Sequence, residues 1–83
     1  MRIEIVTKDE DYIADFEAES NPFKVGEIID IHSKRMDNKN KVVEEFCKWF
    51  KIEEIRHFLE HEYNDSNFNY TYFQTTIEVS ELT

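Results

Sequence analysis

The hydrophobic and polar positions change period several times along the chain, and each change predicts an element. Residues Arg2 to Thr7 are rich in β-branched side chains and alternate at Ile3 and Ile5, which predicts a first strand. Thr7 or Asp9 is placed to cap a short helix over Glu10 to Glu17, with Tyr12, Ile13 and Phe16 on one face and carboxylates near the positive end of the helix dipole. Ser20-Asn21-Pro22 interrupts what precedes it. Phe23 to His32 then sets Phe23, Val25, Ile29 and Ile31 on one side of a second strand, and Ser33 to Asn40 reads as a polar, basic connection.

Lys41 to Tyr63 is helical by propensity but carries no single apolar stripe. At about 100° per residue, Val42, Val43, Phe46, Trp49 and Phe50 group on one side and Ile52, Ile55, Leu59 and Tyr63 on the other. The phase jumps near Lys51. Two helices joined by a kink suit the Glu, Arg, Leu and His content best. The alternatives are one helix buried on two faces, or a second half that is a strand with Ile55, His57, Leu59, His61 and Tyr63 facing one way. Asn64 to Asn69 is a turn by composition, and Tyr70 to Val79 alternates strictly, the clearest strand signal present. Together these elements predict a single α+β domain over residues 1–83. It is a small two-layer sandwich in which a three-stranded, mostly antiparallel sheet packs on two or three helices.

Length narrows the possible functions. A chain of 83 residues hides about 60% of its unfolded surface, so a large buried cleft beside the core is not expected and function belongs on the surface. Seven Phe, four Tyr and one Trp supply a core. One Gly and one Pro argue against phosphate-binding loops, linkers and repeats. Cys47, the single cysteine, excludes an internal disulfide and a multi-cysteine zinc site and fits a reducing compartment. No apolar run approaches the roughly 20 residues needed to span a bilayer, so neither a signal peptide nor a membrane anchor is expected, and the cytoplasm is the expected location.

Charge sharpens the picture. Nineteen carboxylates against ten Lys and Arg give a net charge of −9, which opposes direct binding to nucleic acid or anionic lipid. Asp9, Glu10, Asp11, Asp15, Glu17 and Glu19 form one acidic stretch, and Glu53, Glu54, Glu60, Glu62, Asp65, Glu78 and Glu81 form a second, opposed by Arg56. Between them, Lys34, Arg35, Lys39, Lys41, Lys48 and Lys51 make the middle mildly basic.

Candidate chemistry is sparse. His57 and His61 stand at i and i+4, a spacing that on a helix can hold Zn²⁺, but Glu60 precedes the second His instead of following the first, unlike His-Glu-x-x-His. A solvated helix face is the simpler reading, and a metal-dependent enzyme built on these two residues is the alternative. Cys47, between Phe46 and Trp49, suits a buried core thiol better than a nucleophile. Glu44-Glu45 and Glu53-Glu54 read as solvated charges. Gly26 suits a bulge or turn at the start of the second strand. No catalytic residue, metal or cofactor is expected.

The remaining signal is acidic and aromatic. Tyr63, Tyr70 and Tyr72 lie near Glu60, Glu62 and Asp65, and rigid aromatics framed by carboxylates suit recognition of a basic protein surface, although tyrosines also serve to cap a core. The run Phe73-Gln74-Thr75-Thr76-Ile77-Glu78-Val79-Ser80-Glu81-Leu82, following the acidic, tyrosine-bearing segment, resembles the end of small phage-encoded anti-CRISPR proteins directed at Cas9. That resemblance covers about ten residues closely and about twenty loosely. It implies a non-catalytic inhibitor in a bacterial host that uses Asp9, Asp11, Asp15, Glu60, Glu62 and Asp65 as mimics of DNA phosphates. Its partner would be a basic, DNA-handling protein such as a CRISPR effector nuclease. The basic middle departs from a uniformly anionic mimic. The reading from another class is a self-assembling module, a homodimer that pairs the Tyr70 to Val79 strand as a sheet edge or buries Trp49 and Phe50.

Overall fold

The computed structural model describes residues 1–67 and 69–82 and contains strands but no helix among them. Five strands, β1 (Arg2–Thr7), β2 (Tyr12–Glu17), β3 (Ile28–Met36), β4 (Val42–Tyr63) and β5 (Asn69–Glu81), form one mixed sheet in the order β2-β1-β5-β4-β3. β1 runs parallel to β5, and the other neighbours are antiparallel. This overturns the α+β sandwich: the sheet has five strands instead of three, and no layer of helices covers it.

The segments expected as helices are strands. Tyr12–Glu17 pairs with β1, setting Phe16 opposite Ile3 and Ala14 opposite Ile5. Lys41 to Tyr63, expected as two kinked helices, is almost entirely the single strand β4. Its second half is the strand alternative, with Ile55, His57, Leu59, His61 and Tyr63 on one face and Arg56, Phe58, Glu60 and Glu62 on the other. The phase jump is a β-bulge. Register against β5 shifts between Ile52 and Glu54, so Glu53 is the extra residue that moves the apolar set by one position. A straight strand of 22 residues would reach about 70 Å, whereas the longest dimension of the whole molecule is 51 Å; β4 therefore bends.

β1 and β5 lie where alternation predicted strands, and β5 extends at both ends to Asn69 and Glu81. The expected strand over Phe23 to His32 begins only at Ile28 and runs on through the polar connection to Met36. Residues 64–67 form the expected turn; Phe68 lies outside the described residues.

The hairpin turns share one design. Glu10, Asn40 and Asn67 each have positive φ (66°, 62° and 71°) and each donates its backbone N–H to the carbonyl three residues back, on Thr7, Asp37 and Asn64. This is a three-residue loop closed by a left-handed residue. Asn tolerates that conformation; Glu10 does so with its carboxylate 3.0 Å from Arg56 Nη2.

Ile3, Ile5, Phe50, Ile52, Ile77 and Val79 make the core. Because β2 and β3 are opposite edges of the sheet, the connection between them, residues 18–27, must cross its full width, and Ala18 and Phe23 pack on the core as it does so. Phe16 meets Phe23 edge-on at 6.2 Å. The crossing ends at the bulge, where Gly26 N–H donates to Ile52 O and Ile52 N–H donates to Glu27 O, both at 2.9 Å. Gly26, at φ 93°, is a turn residue there. This irregular segment takes the covering role assigned to helices. Thr75 is fully buried in the same face, its hydroxyl 2.9 Å from His57 Nδ1.

The molecule is not compact. Its radius of gyration is 16.3 Å, against about 12 Å for a compact domain of this length. The excess lies in two projecting arms. Beyond Gln74 no strand flanks the β4–β5 hairpin, so Leu59–Tyr63 and Asn69–Phe73 form a two-stranded arm of about 17 Å. Before Phe50, β4 pairs with β3 alone, making a second arm that ends at the Asp37–Lys41 turn.

Two expectations follow. Ile77→Ala should cost about 2–5 kcal/mol in urea denaturation followed by circular dichroism, whereas Leu59→Ala, on the exposed arm, should cost under about 0.5 kcal/mol. Glu53 accepts a 2.5 Å hydrogen bond from Ser80 Oγ, which holds its carboxyl below the ordinary value of 4.5. A lowered folded value means that this stabilisation is complete above pH 4.5 and is lost as pH falls through the folded pKa. The melting temperature of Glu53→Gln should therefore trail that of the parent at neutral pH and converge with it in acid.

Candidate acidic and aromatic interface

β-Pleating sorts the side chains of the β4–β5 arm onto two faces. Glu60 stands opposite Tyr72 and Glu62 opposite Tyr70, so these four share the face that turns away from the core, together with Phe58 opposite Gln74. Phe58 meets the Tyr72 ring edge-on at 6.3 Å, and Tyr72 Oη donates to Gln74 Oε1 at 2.6 Å. Gln74 Nε2 continues the chain of contacts to Glu4 at 3.4 Å. Tyr63, 75% exposed, projects from the other face beside His61, and Asp65 lies in the terminal turn.

The outward face is anionic along its length. Glu4, Asp15, Glu54 and Glu78 continue it from the arm towards β2, and the cations on this part of the sheet, Arg2 and Arg56, are already paired. Arg2 Nη2 is 2.6 Å from Asp15, which also accepts a hydrogen bond from Tyr12 Oη; that bond, more than burial, pushes the Tyr12 phenol up. Arg56 reaches Glu10, Glu54 and Glu78 at 3.0, 3.4 and 3.3 Å; its hydrogen bond to Glu78 raises its pKa and keeps the guanidinium charged. Among the described residues Glu60, Glu62 and Asp65 have no cationic partner within 4.0 Å.

The structure thus brings together Glu60, Glu62, Tyr70 and Tyr72, with Asp65 at the tip, and separates them from Asp9 and Asp11. β1 runs parallel to β5, so the β1–β2 turn that carries those two aspartates lies beside Val79 to Glu81, about 30 Å along the strand direction from Tyr70. Asp15 sits between the two groups and is consumed by Arg2. The basic residues Lys34, Arg35, Lys39 and Lys41 collect on the opposite arm, where Arg35 Nε donates to Glu44 at 3.0 Å. The bipolarity read along the chain is therefore a separation in space.

His57 and His61 cannot share an ion. Four residues apart on a strand, they are separated by about 13 Å instead of one helical turn. Each points Nδ1 at a cross-strand hydroxyl, Thr75 at 2.9 Å and Thr71 at 3.1 Å, and His57 stacks on Phe73.

A second cluster escaped sequence reading. Asp30 and His32 project from one face of β3, and His32 stands directly opposite Cys47 on β4. Cys47 is exposed rather than a core thiol. Its Sγ lies 3.2 Å from His32 Nε2 and 3.7 Å from Asp30 Oδ1, and the same Nε2 lies 3.1 Å from Asp30 Oδ2. Desolvation, then the charge of Asp30, pushes the thiol pKa up, opposite to what an activated nucleophile needs. In a nucleophilic relay the thiol and carboxylate bind opposite nitrogens of the imidazole; here both converge on one. The signal was an alternating Asp-x-His facing a cysteine across a hairpin whose register could not be read. Among the described residues no helix is long and apolar enough to cross a membrane. No family model, curated protein or solved structure matches the chain.

Proposed function

We propose that the chain is a non-catalytic, protein-binding inhibitor of a nucleic-acid-handling protein, acting in a bacterial cytoplasm, and that the β4–β5 arm is its contact surface. The observation that carries this reading is the pairing of Glu60 with Tyr72 and Glu62 with Tyr70 on one face of a projecting, two-stranded arm. Carboxylates without cationic partners impose little desolvation of existing ion pairs when a basic surface approaches, and they steer it from a distance. The tyrosines supply large contact area with few rotatable bonds, the residue type that dominates binding hot spots.

Successive carboxylates on one strand face are about 6.8 Å apart, a regular anionic row suited to a groove that accepts a phosphate backbone. The acidic, tyrosine-bearing arm and the C-terminal strand are also the parts that resemble anti-CRISPR proteins, which makes a CRISPR effector nuclease the partner to try first. Asp9 and Asp11 act, on this reading, as a second, separate anionic contact, and Asp15 as a structural ion pair. Self-assembly through the Gln74–Val79 part of the strand is not favoured, because β5 lies between β1 and β4 there; an open edge of β5 is confined to Tyr70–Phe73 on the arm.

The test is capture of partners from bacterial lysate on the tagged chain, followed by DNA-binding assays on whatever is captured. At 0.15 M salt, where the Debye length is about 8 Å, a DNA-handling protein should be retained; near 1 M, where it is about 3 Å, it should be released. Glu60→Lys with Glu62→Lys should weaken capture at least tenfold, and Tyr70→Ala or Tyr72→Ala should each cost about 2 kcal/mol of binding. The chain should displace DNA from the captured protein. Recovery of nothing but the chain itself, or a partner whose DNA binding is undisturbed, would sink the proposal.

A further inference from the structure

We propose that Asp30, His32 and Cys47 form a three-ligand site for a zinc-class divalent cation at the base of the β3–β4 arm, with a fourth coordination position facing solvent. The three donor atoms lie within 4.8 Å of one another. Zinc bonds of about 2.3 Å to sulfur and 2.0–2.1 Å to nitrogen and oxygen, arranged tetrahedrally, place neighbouring donors about 3.3–3.6 Å apart. Sγ of Cys47 and Nε2 of His32 are 3.2 Å apart, and the Asp30 carboxylate meets Nε2 through Oδ2 at 3.1 Å and Sγ through Oδ1 at 3.7 Å, each contact within a few tenths of an ångström of the corresponding edge. Binding would turn the exposed Asp30 carboxylate so that one oxygen serves the ion.

Chemistry selects the class of ion. A thiolate, an imidazole and a carboxylate form a borderline-soft donor set that suits zinc and its transition-metal neighbours, whereas Mg²⁺ and Ca²⁺ call for oxygen donors alone. The convergence of thiol and carboxylate on the single nitrogen Nε2 is the arrangement an ion would take over, with the thiol proton released to solvent on binding. Backbone pairing supports the geometry. Asp30 and His32 are successive residues on one face of β3, and His32 and Cys47 are cross-strand partners, so the ladder presets the side-chain origins before any metal arrives.

Glu45, the next residue on that face of β4, adds negative charge, felt at the Cys47 thiol, while Lys34 opposite it offsets part of that charge. An ion here would tie β3 to β4 where β5 no longer supports them. Trp49, cross-strand from Asp30 and 58% exposed, is a built-in fluorescent reporter.

The experiment is titration of the full chain, metal-free and with its thiol reduced, with Zn²⁺ by calorimetry and with Co²⁺ by absorption. One Zn²⁺ per chain, a rise in melting temperature, a change in Trp49 emission and a near-ultraviolet cobalt–thiolate charge-transfer band are expected. Loss of outer-shell partners alone lowers metal affinity about 10–100-fold, so His32→Ala and Cys47→Ser should each weaken binding at least tenfold, and His61→Ala should not. Absence of saturable uptake, or a cobalt spectrum without the thiolate band in the parent chain, would overturn the site whatever the variants do. Equal affinity in parent, His32→Ala and Cys47→Ser would do the same.

Discussion

Ala14, Ile5, Ile77 and Ile55 stand side by side on four successive strands, and the contact along that row holds the two halves of the molecule together. The row lies next to the second row Ile52–Val79–Thr7 and beside the buried Thr75. Burial of apolar surface at about 25 cal/mol/Å² is concentrated here. In the two arms, beyond Gln74 and before Phe50, strands meet in pairs only. A hairpin of two strands is marginal by itself, so both arms borrow their order from the central rows through the continuity of β4 and β5.

That dependence explains the distribution of side chains. A sheet covered on one face by a ten-residue crossing segment has room for few core residues, and those present are aliphatic and β-branched with Phe50. Many aromatics stand outside the core: Tyr63, Tyr70 and Phe73 on one arm with Phe58 at its base, Phe46 and Trp49 on the other, all substantially exposed. Carboxylates accompany the first set and lysines the second. Surface shape and charge thus follow from one arrangement, a small core with two projections of opposite sign. Among the described residues Glu60 and Glu62 on the acidic arm have no cationic partner within 4.0 Å, and no further layer lies over their face.

Much of this was legible in the sequence and some was not. β1 and β5 were readable because their alternation is uninterrupted. β4 was misread because Glu53 is inserted into an otherwise regular alternation, and a one-residue bulge shifts a period of two in the way a kink shifts a period of 3.6. Its Glu, Lys, Arg and Leu content favours helix, and cross-strand packing overrode that preference. β2 is too short for periodicity to decide, and its partner β1 decides it. The acidic and tyrosine residues of the arm were found from composition, yet Glu60–Tyr72 and Glu62–Tyr70 become a surface only through the register of β4 on β5. The Asp30, His32 and Cys47 cluster depends on the register of β3 on β4, which no local spacing encodes. Even the histidine pair misled for the same reason, since i and i+4 are neighbours on a helix and distant on a strand.

Val42 to Tyr63 is one bent strand, anchored in its middle and shared by two arms. Backbone NMR with native-state amide exchange tests it most directly. Cross-strand proton contacts are expected along the whole of β4, with slow exchange at Ile52, Ile55 and Ile77 that approaches global unfolding and faster exchange by local opening beyond Leu59 and before Cys47. Sequential amide contacts of helical type between Lys41 and Tyr63, or protection as strong in the arms as at Ile77, would contradict it.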